Sequence, residues 1–183
     1  MTDDERRRLL AIARESLASL LERRPAHDTG PLEGRLSEPG GAFVTLRSGG
    51  RLRGCIGYID SPLPLANVVA ELARKSARED PRFAPLAPAE FGQISLEVSV
   101  ISALHPLAGV RDIRPGVDGV VLELRGRRGL LLPQVATENG WDAAALLAGV
   151  CTKAGLPPGA WEDPEARLFT FTAEICDEEA ARV

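Results

Sequence analysis

The amino-acid sequence predicts a mixed α/β (α+β) protein, in which helices are interspersed with β-hairpins and single strands. Apolar residues recur at helical intervals in three stretches, near residues 9–21, 65–76 and 145–151. Two pairs of strand-length runs are each joined by a short glycine-containing turn, as in β-hairpins. The stretch 93–101 alternates between apolar and polar residues, which is typical of a half-buried strand.

Length and composition are those of an ordinary globular protein. The chain has 183 residues, of which 44% are hydrophobic and 26% are charged. A chain of this length buries roughly 70% of the surface that it exposes when unfolded. We therefore expect one domain, 1–183, with at most a small additional lobe. The net charge of −4 at pH 7 argues against nucleic acid as a partner, because nucleic-acid-binding proteins normally present a basic face.

The three cysteines, Cys55, Cys151 and Cys176, are far apart in the sequence, and no C-x-x-C pair occurs. An odd number without paired spacing argues against a disulfide framework and favours a reducing compartment. No apolar run reaches the length of a signal peptide or of a membrane span. We therefore expect a cytoplasmic protein without a membrane partner.

An amphipathic helix is predicted at the N-terminus, over residues 2–23. Its apolar residues form a single stripe, and Thr2 and Glu5 have the spacing of a capping box. Prolines and glycines then interrupt residues 25–41, which predicts an irregular connection.

The remaining elements follow from the same rules. Ser61 and Pro62 are a helix-start signal, because serine caps a helix N-terminus and proline fits its first turn. Gly155 follows the last apolar position of another helical stretch and marks its end. The predicted elements are a hairpin (42–47 and 51–58), a helix (61–78), a strand (93–101), a second hairpin (117–124 and 130–132), a helical turn (133–139), a helix (142–155), and a strand (168–176) followed by an acidic tail that we expect to fray.

The stretch Arg51–Tyr58 is the strongest candidate for a functional site. Glycine weakens a strand interior, so Gly54 and Gly57 near Cys55 indicate a bulge or the close approach of a ligand or another backbone. In an extended strand, Arg53 lies on the same face as Cys55, where its charge would lower the pKa of the thiol. The alternative stays open, because a free cysteine usually behaves as a small buried hydrophobe.

Three charged residues elsewhere are further candidates. Asp80 and Arg82 lie on a proline-bounded segment after the second helix. They either have a structural role, in which they pair with each other or cap the helix, or a functional one, as an anion clamp or an acid group. Glu97, in the middle of a strand, is either a general base or part of the polar face of an antiparallel sheet.

Several kinds of site are not signalled by the sequence. The chain has no phosphate-binding loop, no G-x-G-x-x-G motif and no G-x-S-x-G motif. Its two histidines, His27 and His105, do not have the spacing of metal ligands. The sequence therefore predicts no metal site and no cofactor.

Several motifs, taken in order, resemble one known family. They are GAFVTL (41–46), LRGCIG (52–57), EDPRF (79–83), LEVSV (96–100), LPQVA (132–136), GW (140–141) and KAGLPPGAW (153–161). This set is similar to the AMMECR family, called AmmeMemoRadiSam system protein A in prokaryotes, and it covers nearly the whole chain. Residues 75–78 depart from the pattern, because members of the family more often have small and aromatic residues there.

The resemblance implies an α/β fold with mostly antiparallel strands, a larger lobe that contains both termini, and a smaller lobe that forms a cleft against it. It also implies an association with a Memo-type protein and a radical S-adenosylmethionine (SAM) protein, but no established reaction. The family signature, transferred to this sequence, implies that the site residues are Arg53, Gly54, Cys55, Gly57, Asp80 and Arg82. It points less strongly to Thr45, Glu97, Gln134 and Lys153.

Two functions remain open on the sequence alone. As an enzyme or enzyme component, the chain would use the Cys55 thiol on a small or peptide-like anionic substrate, with Arg53, Asp80 and Glu97 as further catalytic residues. The other signature residues would then bind the substrate, Arg82 through a two-pronged contact. As an adaptor, the chain would instead present a ligand or peptide to a Memo-type or radical SAM partner.

Overall fold

Four α-helices and seven β-strands form within residues 1–178, the part of the chain that this computed structural model describes. The helices are α1 (Asp3–Leu21), α2 (Leu65–Arg78), α3 (Pro133–Asn139) and α4 (Ala143–Lys153). The strands are β1 (Ala42–Ser48), β2 (Arg51–Tyr58), β3 (Ile94–Ile101), β4 (His105–Pro106), β5 (Asp118–Leu124), β6 (Arg127–Leu131) and β7 (Arg167–Asp177).

The chain divides into two compact units. Unit 1 comprises residues 1–101 together with those from Glu174 onward, and unit 2 comprises Ser102–Ala173. In unit 1 the strands follow the order β2–β1–β3, and β3 is also hydrogen-bonded to β7. In unit 2, β5 lies between β6 and β7, and the short β4 pairs with β7. Strands β1, β2 and β3 pair in antiparallel fashion, as do β5, β6 and β7.

Helix α1 begins as the sequence predicts. Thr2 Oγ1 accepts a hydrogen bond from Glu5 N, and the Glu5 carboxylate accepts one from Thr2 N, which completes the capping box. The apolar stripe of α1 is buried in the core of unit 1. The irregular connection that follows is also confirmed; it is tied back to α1 because Arg35 N donates to the Glu5 carboxylate.

Helix α2 begins later than predicted. Ser61 does not cap it, because Ser61 Oγ accepts a hydrogen bond from Leu63 N in a local turn. Pro64 disfavours a helical conformation for Leu63, and Pro64 itself takes the N-cap position with φ −51° and ψ 138°. The helix therefore starts at Leu65, whereas its predicted end at Arg78 is confirmed.

The sheet of unit 1 has one apolar face and one polar face. The apolar face is buried against α1 and α2, and on β1 and β3 it consists of Ala42, Val44, Leu46, Ile94, Leu96, Val98 and Val100. Side chains alternate between the faces of a strand, so the intervening residues of β1 and β3 lie on the opposite face. The candidate residues Thr45 and Glu97 are therefore on the face that does not contact the two helices.

Helix α2 packs tightly against β2 at Gly54. A Cβ atom at this position would lie 2.1 Å from the backbone oxygen of Ser76. The Ser76 hydroxyl accepts a hydrogen bond from Ile56 N at 2.9 Å and donates one to Val44 O at 2.7 Å. It thereby satisfies one backbone group of each strand of the hairpin. Glycine at position 54 is required by this contact between helix and strand.

Unit 2 has an apolar core of its own, to which β5, α3 and α4 contribute. Cys151 is fully buried in it, as predicted for a core cysteine. Helix α4 is capped by Asp142, whose carboxylate accepts a hydrogen bond from Ala145 N. Gly155 follows the helix with a φ of +70°, a conformation that glycine adopts without strain. Both predicted helix signals are thus confirmed.

The last strand changes its buried side along its length. Alternation in the sequence predicts that Phe169, Phe171, Ala173 and Ile175 share one face. Phe171 is indeed 1% exposed, but Ile175 is 45% exposed and the neighbouring Cys176 is buried. Burial therefore does not follow one alternating face, because the strand runs from unit 2 into unit 1 between these positions.

These elements confirm the predicted α+β class with mostly antiparallel strands. The cleft between two lobes stays a prediction. Among the helices of residues 1–178, none is long and apolar enough to cross a membrane. The sequence predicts that the acidic tail frays after Cys176, but Asp177 is the last residue of β7 and Glu178 pairs with Arg14. The prediction is therefore wrong for these two residues, and the remainder of the tail, residues 179–183, lies outside the described residues.

We expect the substitution Gly54→Ala to lower the free energy of unfolding by about 1–3 kcal/mol or more, as overpacking does, because the new methyl group would collide with the Ser76 carbonyl. Urea denaturation monitored by circular dichroism measures this loss. Gly92→Ala is the control, since no heavy atom lies within 4 Å of a Cβ at that position. Equal stability of the two variants would contradict the close approach.

Candidate functional site

Three candidate residues form a row across neighbouring strands. The register pairs Thr45 of β1 with Cys55 of β2 on one side and with Glu97 of β3 on the other. Directly paired residues have their side chains on the same face of a sheet. Thr45 is buried, whereas Cys55 and Glu97 are half-buried. The structure therefore brings together three residues that are distant in the sequence, and we call them the Cys55 row.

Hydrogen bonds connect the row to its neighbours. The Thr45 hydroxyl donates to Cys55 Sγ at 3.4 Å. Arg47, the next residue of β1 on this face, lies with its Nη2 3.5 Å from the Glu97 carboxylate. Ser99 Oγ lies 3.5 Å from the same carboxylate. Glu97 thus belongs to the polar face of an antiparallel sheet, which was one of its two predicted interpretations.

Asp80 binds the backbone of β2 at Cys55. Its Oδ2 accepts a hydrogen bond from Cys55 N at 2.9 Å. Arg82 binds the same carboxylate through Nε at 2.9 Å and Nη2 at 2.7 Å, and its backbone N donates to Oδ1 at 3.1 Å. The Asp80 side chain is 3% exposed and the Arg82 side chain 52%. The two residues therefore pair with each other, as one of the two predicted alternatives states.

The hydrogen bonds from Arg82 hold the pKa of Asp80 well below its usual range, and the bond from Cys55 N acts in the same direction. Burial opposes this effect but does not overcome it. Asp80 is consequently a carboxylate at neutral pH and a poor acceptor for a proton. It therefore acts here as a structural anion, and a proton-transfer role has no support from its ionisation.

Burial raises the pKa of the Cys55 thiol above its ordinary value. The hydrogen bond from Thr45 and the charge of Arg82 favour the thiolate, whereas the negative charges of Asp80 and Glu97 disfavour it. Burial outweighs the favourable contributions. The thiol is therefore predominantly protonated at neutral pH, which differs from the activated thiolate expected from the sequence.

A β-bulge displaces Arg53 from its predicted position. Leu46 pairs with Gly54, but the next residue, Arg47, pairs with Leu52, so the register shifts by one residue. Arg53 is the extra residue of this bulge. Simple alternation along β2 therefore does not describe its side chain.

The Arg53 guanidinium binds the segment after α2 instead of the thiol. It donates to the Glu90 carboxylate at 2.8 and 3.1 Å and to the Ala84 carbonyl at 2.9 Å, and it lies over the Phe83 ring. The prediction that Arg53 lowers the pKa of Cys55 is wrong, because the guanidinium that favours the thiolate belongs to Arg82. Arg53 is a positioning residue for the segment that carries Asp80.

The two glycines beside Cys55 are explained by contacts inside the protein. Gly54 accommodates α2, as described above. A Cβ atom on Gly57 would lie 2.1 Å from Cδ1 of the Phe43 ring, its cross-strand partner. At Gly54 the close neighbour is the backbone of α2, which is one of the predicted alternatives, and at Gly57 it is a side chain of the same sheet. The assignment of the two glycines to a substrate stays a prediction.

Two of the predicted substrate-binding residues belong to unit 2. Gln134 lies on α3 and Lys153 ends α4, whereas the other signature residues all belong to unit 1. Gln134 is half-buried and Lys153 is exposed. Their assignment to a substrate stays a prediction.

Sequence reasoning did not single out three residues that shape this site. Ser76 bridges the hairpin, Glu90 holds Arg53, and the Phe83 ring lies against the guanidinium groups of both Arg53 and Arg82. A signal existed for Ser76, because a serine within the buried stripe of a helix requires a hydrogen-bond partner. Glu90 had no such local signal, since its partner is 37 residues away.

Comparison with known proteins agrees with this arrangement of elements. A family model for AMMECR1 matches residues 10–176, which includes every candidate residue named above. The chain belongs to the AMMECR1 family. An archaeal relative from Methanothermobacter thermautotrophicus is 48% identical over 145 residues, which cover 76% of each chain. One from Thermococcus gammatolerans is 43% identical over 168 residues and covers 86% of this chain and 80% of its own.

A protein with the same fold has a crystal structure. The uncharacterised protein PH0010 from Pyrococcus horikoshii superposes with a TM-score of 0.84 at 37% identity, covering 91% of this chain and 88% of its own. The likeness supports the α+β fold described above. The names of these relatives state no reaction and no ligand.

Metal ligation has no geometric support in this AMMECR1 chain as far as it is described. Residues 1–178 contain no group of three or more His, Cys, Asp or Glu side chains arranged to hold a metal ion. The carboxylates nearest to Cys55 are already engaged, Asp80 by Arg82 and Glu97 by Arg47.

Acid should weaken the contribution of Asp80 to stability. The unfolded chain binds a proton at Asp80 near pH 4, whereas the folded chain does so only at lower pH, so the stability supplied by this carboxylate is present at neutral pH and is lost as the pH falls. At neutral pH we expect Asp80→Asn to lower the free energy of unfolding by about 1–3 kcal/mol.

Chemical denaturation between about pH 6 and pH 3 measures this dependence. The difference in stability between the wild type and Asp80→Asn should narrow as the pH falls. Asp60→Asn, at an exposed position beyond β2, controls for the loss of one negative charge. A difference for Asp80→Asn that stays constant across this range would refute the assignment.

Proposed function

We propose that this member of the AMMECR1 family is a binding component, an adaptor, that recognises a polar, peptide-like ligand at the Cys55 row. The observation that carries the proposal is the state of the thiol. Burial raises its pKa, and the group that reaches Sγ is the hydroxyl of Thr45, which is not a base. A neutral thiol next to a hydroxyl is suited to recognition by hydrogen bonds and shape.

The charges around the row support an uncharged or zwitterionic ligand over a strongly anionic one. Arg82 is paired with Asp80, and Arg47 lies beside Glu97. Each guanidinium already has a carboxylate, so an anionic ligand would have to compete with it. The peptide and hydroxyl groups of a ligand need not displace these carboxylates, because they form hydrogen bonds with polar side chains and bring no net charge.

We further propose a Memo-type or radical SAM protein as the recipient of this ligand, and the cytoplasm as the location. The first proposal is supported by the family resemblance. The second is supported by the three cysteines, which are all free thiols in the described chain, as is usual in a reducing compartment.

A thiol enzyme is the second candidate function. Two contacts favour it, because the hydrogen bond from Thr45 and the charge of Arg82 both lower the pKa of Cys55. In this alternative, a ligand that drew the carboxylates of Asp80 and Glu97 away from the sulfur, or brought a base to it, would favour the thiolate. Glu97, on the same face, would then be the nearest candidate for proton transfer on the strand row.

The reactivity of Cys55 distinguishes the two functions. We expect iodoacetamide to alkylate Cys55 more slowly than a model thiol such as glutathione at neutral pH. The rate should go on rising with pH beyond the point at which that of glutathione levels off, because burial raises the pKa of Cys55. Mass spectrometry of the Cys55 peptide separates it from Cys151 and Cys176. An alkylation rate above that of glutathione at neutral pH would favour the enzyme.

Binding to the partner provides the second test. Isothermal titration calorimetry with a purified Memo-type protein measures the affinity of the wild type, Cys55→Ser and Cys55→Ala. Thr152→Ala, at an exposed position of α4, is a control far from Cys55 in the sequence. The adaptor predicts that Cys55→Ala weakens binding by about tenfold and that Cys55→Ser weakens it less. Unchanged binding together with a lost activity of the partner pathway would favour catalysis.

A further inference from the structure

A cavity of about 360 Å³ lies between α1, the connection after it and α2. The residues that line it include Ser16, Ala26, Asp28, Ala70, Glu71 and Arg74. All these residues belong to unit 1, and none of them takes part in the Cys55 row. Ligand-binding pockets have volumes of about 300–1,000 Å³, so the cavity is suited to a small molecule.

Arg74 is the feature of this cavity that needs an explanation. Its side chain is half-buried, and its Nη1 is buried without a hydrogen-bond partner. No carboxylate among residues 1–178 forms an ion pair with it. Other half-buried arginines of unit 1 do have carboxylate partners: Arg14 pairs with Glu178, and Arg53 pairs with Glu90. A guanidinium group withdrawn from water normally has such a partner, because its desolvation is costly.

A second unpartnered group lines the same cavity. Ser16 is 1% exposed, and its Oγ has no hydrogen-bond partner within the described chain. A serine inside a helix usually turns to solvent or bonds to the carbonyl four residues earlier, and Ser16 does neither. Ser16 and Arg74 come from different helices, so the residues that line this one cavity include two donors without an acceptor among residues 1–178.

The neighbouring charges limit the kind of acceptor that fits. Glu71 also lines the cavity, but Lys75 and the Tyr58 hydroxyl both bind its carboxylate. Asp28 accepts a hydrogen bond from Gly30 N through one oxygen and retains its negative charge. A doubly charged phosphate would be repelled by these carboxylates, whereas a singly charged group would meet the one unpaired guanidinium among the lining residues.

We propose that this cavity binds a small organic acid through its carboxylate. Arg74 donates to both carboxylate oxygens in the fork geometry that guanidinium groups favour, and the Ser16 hydroxyl donates a further hydrogen bond. The methyl groups of Ala26 and Ala70 contact the short apolar body of the acid. This site rests on no part of the function proposed for the Cys55 row.

Titration with sodium propionate, followed by two-dimensional amide NMR, tests the site. We expect saturable shifts of the amide signals of Ser16 and Asn67 below about 50 mM, the range of a weak fragment. Arg74→Gln should weaken binding by at least about tenfold, since a charged hydrogen-bonding partner is lost. Arg78→Gln, at an exposed position of the same helix, should leave binding unchanged.

Stability separates a binding residue from a structural one. Because Arg74 has no carboxylate partner among residues 1–178, Arg74→Gln should be at least as stable as the wild type in thermal unfolding without propionate. Propionate should raise the midpoint of the wild type and leave that of Arg74→Gln unchanged. Ser16→Ala is a milder second variant, which should fold normally and also weaken the binding of propionate.

The proposal is overturned by any of four results. They are no saturable shift with propionate, equal binding by Arg74→Gln or by a folded Ser16→Ala, tighter binding of inorganic phosphate than of propionate at equal ionic strength, and a lower stability of ligand-free Arg74→Gln.

Discussion

The carboxylate of Asp80 ties the end of helix α2 to the strand that carries Cys55. One of its oxygens accepts the backbone N–H of Cys55, and both accept from Arg82. Without this anion the strand N–H would need another acceptor, and Arg82 would have no fixed place near the sulfur. The geometry and the electrostatics of the Cys55 row therefore depend on the buried negative charge of Asp80. The guanidinium group of Arg82, which is exposed, offsets the cost of burying that charge.

The two faces of the β1–β2 hairpin have different structural roles. One face, with Val44 and Leu46, completes the core, and the Ser76 hydroxyl bridges the backbone of both strands there. The other face presents Thr45 and Cys55 in one row. A change in register would exchange the two faces, so the helix contact at Gly54 and the polar row are maintained by the same pairing of strands.

Local signals in the sequence were sufficient for most elements, because caps and periodicity act within a few residues. The capping box of Thr2, the cap at Asp142 and the strand around Glu97 are examples. Cys55 was also placed in the correct strand. Ser61 was misleading, since two nearby prolines shift the start of α2 to Leu65.

The details of the site could not be predicted in the same way, because they depend on contacts between distant residues. The bulge at Arg53 arises only when β1 pairs with β2. The Arg53 guanidinium binds Glu90 because the segment after α2 passes close to this strand. Gly57 is explained by the ring of Phe43 on another strand. For the same reason, the desolvation that raises the pKa of Cys55 is a property of the folded surroundings and leaves no local pattern.

The way in which the chain enters and leaves unit 2 has a consequence for how this fold tolerates change. Ser102 N donates to Thr172 O, and Thr172 N donates to the Ser102 hydroxyl, at 3.0 and 2.9 Å. The segment between these two residues is thus, in topological terms, a long insertion whose two ends are hydrogen-bonded to each other. For a flexible loop, each doubling of length costs only about 0.6 kcal/mol of closure entropy. We therefore expect insertions in the loops of unit 2 to leave the pairing of β1, β2 and β3 intact.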